Sequence, residues 1–160
     1  LKWDIAKEFD YSNKKYFDDD DNIVFKNIVD GINYFRNKDN KYLGFQRAGA
    51  KTMDNKKYLW FPKLYSNKDW DNSISPDELL IKMIPKKTST LKNVNSLDHH
   101  IKHHQNMGVI VFARVKGNLG YVLYRFKGYY VLNEKLSIEN GYCCFERKSK
   151  KVLIPSGDPI

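Results

Sequence analysis

The sequence predicts an α+β fold built on a strongly curved mixed β-sheet or pseudobarrel, with one or two flanking helices. Residues 109–116, 121–131 and 142–148 are rich in β-branched and aromatic side chains, which favour strands. The clearest helical pattern lies near the N-terminus, and strands and helices do not alternate regularly. This order favours an α+β or barrel-like architecture over a parallel α/β sheet.

The individual elements follow from local patterns. Residues 23–35 repeat large apolar side chains at helical spacing, which predicts an amphipathic helix. Residues 42–46, 58–61 and 79–84 predict short strands, because turn-forming residues separate them. Residues 85–106 are polar and predict a long loop. The three strand-rich runs then complete the sheet.

Length and composition indicate one domain. The chain has 160 residues, of which 41% are hydrophobic, and this is enough for a single core. We expect one domain at 1–154, followed at 155–160 by a linker to another domain, because the last segment is rich in Pro, Ser and Gly. A cytoplasmic location is expected, since no apolar span or leader pattern is present in the sequence.

The net charge of +9 belongs to the second half of the chain, where residues 81–160 hold 14 Lys/Arg and 5 Asp/Glu. Two pairs, Arg114 with Lys116 and Arg125 with Lys127, have the i, i+2 spacing that places both members on one face of a strand. If the strands are neighbours, the pairs form one basic patch suited to a polyanion. The alternative is a set of solvated residues that keep the sheet soluble.

Aromatic and amide side chains are concentrated in the first half. Trp60, Tyr65 and Trp70 are followed by Asp71 and Asn72. Aromatic faces stack on exposed bases, and acidic or amide side chains hydrogen-bond base edges, so this segment is a candidate base pocket. The alternative is that Trp60 belongs to the core, whereas Trp70 lies between two aspartates and is harder to assign there.

Catalysis is the competing hypothesis. His99, His100, His103 and His104 form two i, i+4 pairs, a spacing that can bind a metal if the segment is helical, although a solvated basic segment has the same pattern. Glu146 ends an apolar strand, as an acidic nuclease residue often does. The enzymatic alternative is therefore a small metal-dependent nuclease that uses the segment His99–His104 or Glu146.

Several segments together resemble a known family. They are Arg47-Ala-Gly49, Trp60-Phe-Pro-Lys-Leu64, Trp70-x-Asn72 with Ser75-Pro-Asp77, residues 111–116 and 123–128, and Phe145-Glu-Arg147. In order and character, residues 42–150 resemble the DNA-recognition domains of bacterial restriction nucleases, particularly modified-cytosine readers with an SRA-like or PUA-like sheet. The segment Gln46-Arg-Ala-Gly49 with Phe61-Pro62 also resembles the plant-transcription-factor-like effector domain, which reads unmodified DNA.

The resemblance implies a non-catalytic specificity domain that binds double-stranded DNA and extrudes a methylated or hydroxymethylated cytosine into an aromatic pocket. Trp60, Tyr65 and Trp70 would stack on the base, and Asp71 and Asn72 would read its edge. The implied phosphate contacts are Arg47, Lys51, Arg114, Lys116, Arg125, Lys127 and Arg147. The domain itself would need no cofactor, and a divalent metal would belong to a nuclease domain on the same parent chain. An RNA-binding or protein-interaction module is the remaining alternative.

Overall fold

The computed structural model describes residue 11 and residues 13–35, 49–51, 56–86, 97–116 and 122–154, with the backbone alone at 49–51 and at Lys116. The strands are β1 (Tyr16–Asp18), β2 (Val24–Phe25), β3 (Gly49–Lys51), β4 (Lys57–Trp60), β5 (Ser73–Ile74), β6 (Leu80–Met83), β7 (Gly108–Lys116), β8 (Val122–Leu132), β9 (Cys143–Ser149) and β10 (Lys151–Leu153). The helices are α1 (Ile28–Asn33), α2 (Leu97–His104) and α3 (Glu134–Asn140). A short 3₁₀ turn spans Asp19–Asp21.

The main sheet has the strand order β3-β4-β7-β8-β9-β6-β5, and β2 pairs additionally with β8. The β4–β7 pair is parallel, whereas the other pairs in this sheet are antiparallel. The predicted α+β class and mixed sheet are therefore confirmed. The path of the described strands is open, and the described residues contain three helices, more than the one or two expected.

Each face of the sheet carries its own apolar cluster. The Phe cluster consists of Phe17, Ile23, Phe25, Ile28, Ile32, Phe35, Leu59, Phe61, Ile110, Phe112, Phe126, Val152 and Ile154. The Trp cluster consists of buried Ile81, Met83, Val109, Val111, Tyr130, Cys143 and Phe145, with Tyr58, Trp60, Leu64, Trp70, Ile74, Leu97 and Leu132 packed against them. Successive β7 residues alternate between the two clusters, as the period of a strand requires.

A bulge interrupts the pairing of the two longest strands. Val111 pairs with Gly128 and Phe112 pairs with Phe126, so Lys127 is the extra residue on β8. Gly128 has φ +118°, and a Cβ there would lie 2.4 Å from the carbonyl oxygen of Ser149. Only glycine is compatible with both this conformation and this close approach.

The N-terminal helix is shorter than predicted. Val24 and Phe25 form β2 and pair with Arg125 and Tyr124 on β8, so residues 23–35 are not one helix. Asn27 is the N-cap of α1, because its Oδ1 accepts a hydrogen bond from the Asp30 backbone N–H at 2.9 Å. The helix therefore begins only after the extended segment. Most of the apolar residues that suggested a helix, namely Ile23, Ile28, Ile32 and Phe35, are nevertheless buried in the Phe cluster.

The C-terminal strands were predicted well, and β7, β8 and β9 each begin and end within one residue of the expected runs. The polar segment 85–106 differs from its prediction, because Leu97–His104 is the helix α2. Sequence reasoning also missed α3, which begins at its cap Asn133 and ends at Gly141 with φ +78°. The strand expected at 42–46 lies outside the described residues. Among the helices that the structure describes, none is long and apolar enough to cross a membrane.

Candidate nucleic-acid interface

Two of the predicted stacking residues lie at the same apolar cluster. Trp60 follows buried Leu59 on β4, and its ring lies 5.2 Å from the ring of Phe145, measured between centroids. Trp70 also packs against the Trp cluster. Both indole side chains are half-buried rather than enclosed. The structure therefore brings Trp60 and Trp70 to one face of the sheet as partly accessible aromatic groups.

The segment that carries Trp70 is fixed to the segment after β6. Trp70 forms a β-bridge with Pro85, and the Asp71 backbone N–H donates to the Ile84 carbonyl at 2.7 Å. The Lys86 N–H donates to the Asp69 carbonyl at 2.9 Å. These bonds replace water around the loop backbone and hold Trp70 in register with the sheet.

The other three pocket candidates have different positions. Asp71 is exposed next to Trp70, whereas the Asn72 side chain is buried. Asn72 Oδ1 accepts a hydrogen bond from the Ile84 backbone N–H at 3.0 Å, so this oxygen supports the loop. Tyr65 is half-buried, and its carbonyl accepts a 3.4 Å hydrogen bond from the Asn67 side chain. Base reading by these three residues stays a prediction.

The histidine segment is helical, and three of its four rings contact aromatic residues of the Trp cluster, whereas His99 is exposed. The ring of His104 lies 5.1 Å from that of Phe145, and His100 lies 6.1 Å from Trp70. His103 lies 5.8 Å from Tyr58. Burial, together with the charges of His103 and His100, lowers the pKa of His104 to about 4. These positions give α2 a packing role at the edge of the aromatic face.

The candidate nuclease residues have structural partners instead of a metal-binding arrangement. Among the described residues, no group of three or more His, Cys, Asp or Glu side chains is arranged to hold a metal ion. Glu146 Oε1 accepts a 2.7 Å hydrogen bond from Asn133, and Glu146 Oε2 lies 3.3 Å from Lys148. The hydrogen bond from Asn133 is the main reason why the pKa of Glu146 is lowered. Glu146 is therefore a paired surface carboxylate.

The strand arginines do not form the single patch that the sequence suggested. Ala113 pairs with Arg125, and Arg114 pairs with Tyr124, which packs against the Phe cluster. Because neighbouring residues on a strand point to opposite faces, Arg125 lies on the face of the Trp cluster and Arg114 lies on the other face. In the part of the chain that the structure describes, the buried Nε atoms of both arginines lack hydrogen-bond partners.

Lys127 and Arg147 belong to an ion-pair cluster. Lys127 Nζ lies 2.6 Å from Glu78 Oε1, and Arg147 Nη1 lies 3.1 Å from Asp19 Oδ2 and 3.5 Å from Glu78 Oε2. Their side chains are only 10% and 9% exposed. Both cations are therefore neutralised inside the protein, which favours a structural role, while their assignment as phosphate contacts stays a prediction.

The two carboxylates of this ion-pair cluster have opposite pKa shifts. Burial and the adjacent Glu78 raise the pKa of Asp19. Burial also opposes ionisation of Glu78, but hydrogen bonds from Lys127 and Asp19 outweigh it, so the pKa of Glu78 is lowered. The Tyr130 hydroxyl donates to the Glu78 carbonyl at 2.6 Å, which helps to fix Glu78 at φ +62°. Glu78 is thus held in a strained conformation by the surrounding groups.

The remaining predicted contacts are only partly described. Arg47 lies outside the described residues, and Lys51 and Lys116 lie on β3 and β7, where the backbone alone is described. Sequence reasoning missed Asp19 and Glu78 as the partners of Lys127 and Arg147. Asp19 is 128 residues away from Arg147 along the chain, and no local pattern connects them.

These features define an α+β domain that presents half-buried tryptophans and an arginine on one face of a mixed sheet. The chain belongs to the SRA family, the SET and RING associated domain, whose model matches residues 10–154. It is also similar to a solved structure of the 5-hydroxymethylcytosine-specific restriction enzyme AbaSI, with a TM-score of 0.75 and 30% sequence identity. The match covers 99% of this chain and 49% of that one. A search of curated proteins found no match.

Proposed function

We propose that this chain is the DNA-recognition domain of a restriction nuclease and that it reads 5-hydroxymethylcytosine in double-stranded DNA. The observation that carries the proposal is the similarity to AbaSI over 99% of the chain. Membership of the SRA family supports the same conclusion. The alternative of a small nuclease has less support, because both Glu146 and the histidine segment are engaged in packing or pairing.

The proposed mechanism begins with electrostatic attraction to DNA. Arg125 lies on the face of the Trp cluster, and a guanidinium group binds phosphate oxygens through several N–H donors. Arg47, Lys51, Arg114 and Lys116 remain candidate phosphate contacts. Neutralising several phosphates releases condensed counterions, so affinity should fall steeply as the salt concentration rises.

The modified base is then read outside the duplex. We propose that the main sheet approaches the DNA and that the cytosine rotates out of the stack to meet Trp60 and Trp70. Stacking on an aromatic ring contributes about 1–3 kcal/mol per base, enough to offset much of the cost of unstacking. In this proposal Asp71, which is exposed next to Trp70, accepts a hydrogen bond from the base edge.

Cleavage belongs to another part of the parent protein in this proposal. The chain spans 49% of the AbaSI chain that it matches, so the remaining half of such a protein has room for a nuclease domain. Any divalent metal would act in that domain, while this one would need no cofactor. We place the parent protein in the cytoplasm, where cellular or invading DNA is accessible.

Fluorescence anisotropy tests the proposal. The domain is titrated into three duplexes of one sequence that contain cytosine, 5-methylcytosine or 5-hydroxymethylcytosine, at two salt concentrations. We expect salt-sensitive binding with the highest affinity for the hydroxymethylated duplex. Equal affinity for all three duplexes would contradict modified-base reading, and binding that does not respond to salt would contradict the proposed phosphate contacts.

A further inference from the structure

The loop that carries Trp70 is organised by one side chain, that of Asn67. Its Oδ1 accepts hydrogen bonds from the backbone N–H groups of Asp69 and Trp70, both at 3.1 Å. Its own backbone N–H donates to the Trp70 carbonyl at 2.8 Å, and its Nδ2 donates to the Tyr65 carbonyl at 3.4 Å. One residue therefore bonds both backbone groups of Trp70 and also reaches Tyr65.

We propose that Asn67 is a positioning residue for base recognition, one that fixes the Trp70 ring in the orientation that stacks on the modified base. This inference rests on the proposed function. Asn67 acts on Trp70 from one side, and the β-bridge to Pro85 with the Lys86–Asp69 hydrogen bond acts from the other. A backbone held from two directions fixes the position from which the Trp70 ring projects, so less conformational freedom is lost on binding and more of the stacking energy is available for affinity.

Asparagine suits this position for a chemical reason. A short amide or carboxylate side chain can accept hydrogen bonds from backbone N–H groups two and three residues further along, and alanine cannot. Aspartate keeps the acceptor oxygens and loses only the Nδ2 donor to Tyr65. Asn67→Asp therefore separates the bonds to the Trp70 segment from the bond to Tyr65. Its added negative charge should lower the affinity for all duplexes by the same factor.

Asn133 provides a matched control. Its Oδ1 accepts from the Leu136 backbone N–H at 2.9 Å and its Nδ2 donates to the Glu146 carboxylate, so it too caps a backbone segment and uses both ends of its amide, at the start of α3. Asn133→Ala should reduce stability by an amount similar to that of Asn67→Ala. The Asn133 variant should leave the preference between duplexes unchanged, because its bonds do not involve Trp70.

The experiment measures one quantity, the ratio of the dissociation constants for the cytosine and hydroxymethylcytosine duplexes. It uses the wild type, Asn67→Ala, Asn67→Asp, Asn133→Ala, Trp70→Ala and the Asn67→Ala/Trp70→Ala double variant. We expect Asn67→Ala to lower the ratio about fivefold, the equivalent of roughly 1 kcal/mol. Asn67→Asp should retain most of the ratio, and the double variant should match Trp70→Ala, because a positioning residue has no effect once its target is gone.

The outcomes distinguish the inference from the proposed function. If Trp70→Ala lowers the ratio but Asn67→Ala does not, the positioning role is overturned and the proposed function stands. The role is also overturned if Asn67→Ala lowers the ratio by the same factor with and without Trp70. If the wild type has no preference, the proposed function fails, and if Trp70→Ala leaves the preference unchanged, the pocket assignment fails; the inference fails in both cases. If Asn67→Ala does not fold, Asn67→Asp alone tests the positioning role. A large decrease in its ratio of dissociation constants would then overturn that role.

Discussion

Two regions of the sheet carry basic residues that look equivalent in the sequence but have different surroundings. Lys127 and Arg147 are enclosed with Asp19 and Glu78 in the ion-pair cluster. Arg125, two positions before Lys127, lies on the face of the Trp cluster, and no carboxylate of the described residues pairs with it. The charges of the first region are paired within the protein, whereas we propose that the charge of the second binds DNA.

This comparison shows why charge along a strand is an incomplete guide to binding. The bulge at Lys127 and the strained turn at Glu78 bring a cation and an anion together across 49 residues of sequence. Removing one partner from a buried pair costs more than the pair contributes, because the other charge is left unpaired. Variants in the two regions should therefore change different measurable properties.

The largest effect is expected for Arg147→Ala. It leaves Asp19 without its guanidinium partner and removes one of the two cations beside Glu78, and such losses cost about 3–5 kcal/mol. Urea denaturation followed by circular dichroism measures this change. Lys148→Ala is the control, because its side chain is 55% exposed, and it should change stability by less than about 0.5 kcal/mol. Equal stabilities for the two variants would contradict the structural role of Arg147.

The second effect concerns pH and the edge of the Trp cluster. The pKa of His104 is lowered from 6.5 to about 4 by burial, so the unfolded chain binds more protons than the folded protein between these values. Stability should therefore fall as the pH decreases from about 6.5 to about 4, by roughly 3 kcal/mol from this residue. His104→Phe should remove that part of the slope in denaturation curves. An unchanged slope would show that His104 is not buried in neutral form.

The third effect tests the aromatic face. Trp70→Ala should weaken binding to hydroxymethylated DNA more than binding to plain DNA, because a lost stack costs about 1–3 kcal/mol per base. Anisotropy titrations of both duplexes measure the difference. Equal losses on both duplexes would assign Trp70 a general structural role.

The smallest effect is expected for Arg125→Ala. The affinity for all duplexes should fall by a similar factor. The slope of log affinity against log salt concentration should become less steep by about 1, as for one lost phosphate contact. The folding stability should change little, in contrast to Arg147→Ala. A loss confined to the hydroxymethylated duplex would instead move Arg125 from phosphate binding to base reading.

The parts of the fold that were predictable are those with a local signal. The strands β7, β8 and β9 have long β-branched and aromatic runs, which identify strands without knowledge of their partners. Helix α2 was missed because its histidines and Lys102 obscure the apolar spacing of Leu97 and Ile101. The helix predicted over 23–35 was too long, because long-range pairing of Val24 with Arg125 overrides the local pattern.

The candidate site shows the same limit. Trp60 and Trp70 were identifiable from the sequence, because large aromatic side chains among turn-forming and acidic residues are a local pattern. The placement of Arg114 and Arg125 on opposite faces was not, because it depends on the register between two strands. The role of Asn67 was also missed, since an asparagine in a polar turn is common and only its hydrogen bonds distinguish it.

The most direct test of base reading is 2-aminopurine fluorescence. The fluorescent base is placed next to 5-hydroxymethylcytosine in a duplex, where stacking quenches its emission. Flipping of the modified cytosine removes a stacking neighbour, so saturating domain should raise the emission strongly, while a duplex with plain cytosine should change little. Tight binding to the hydroxymethylated duplex with unchanged emission would contradict a flipped base held against Trp60 and Trp70.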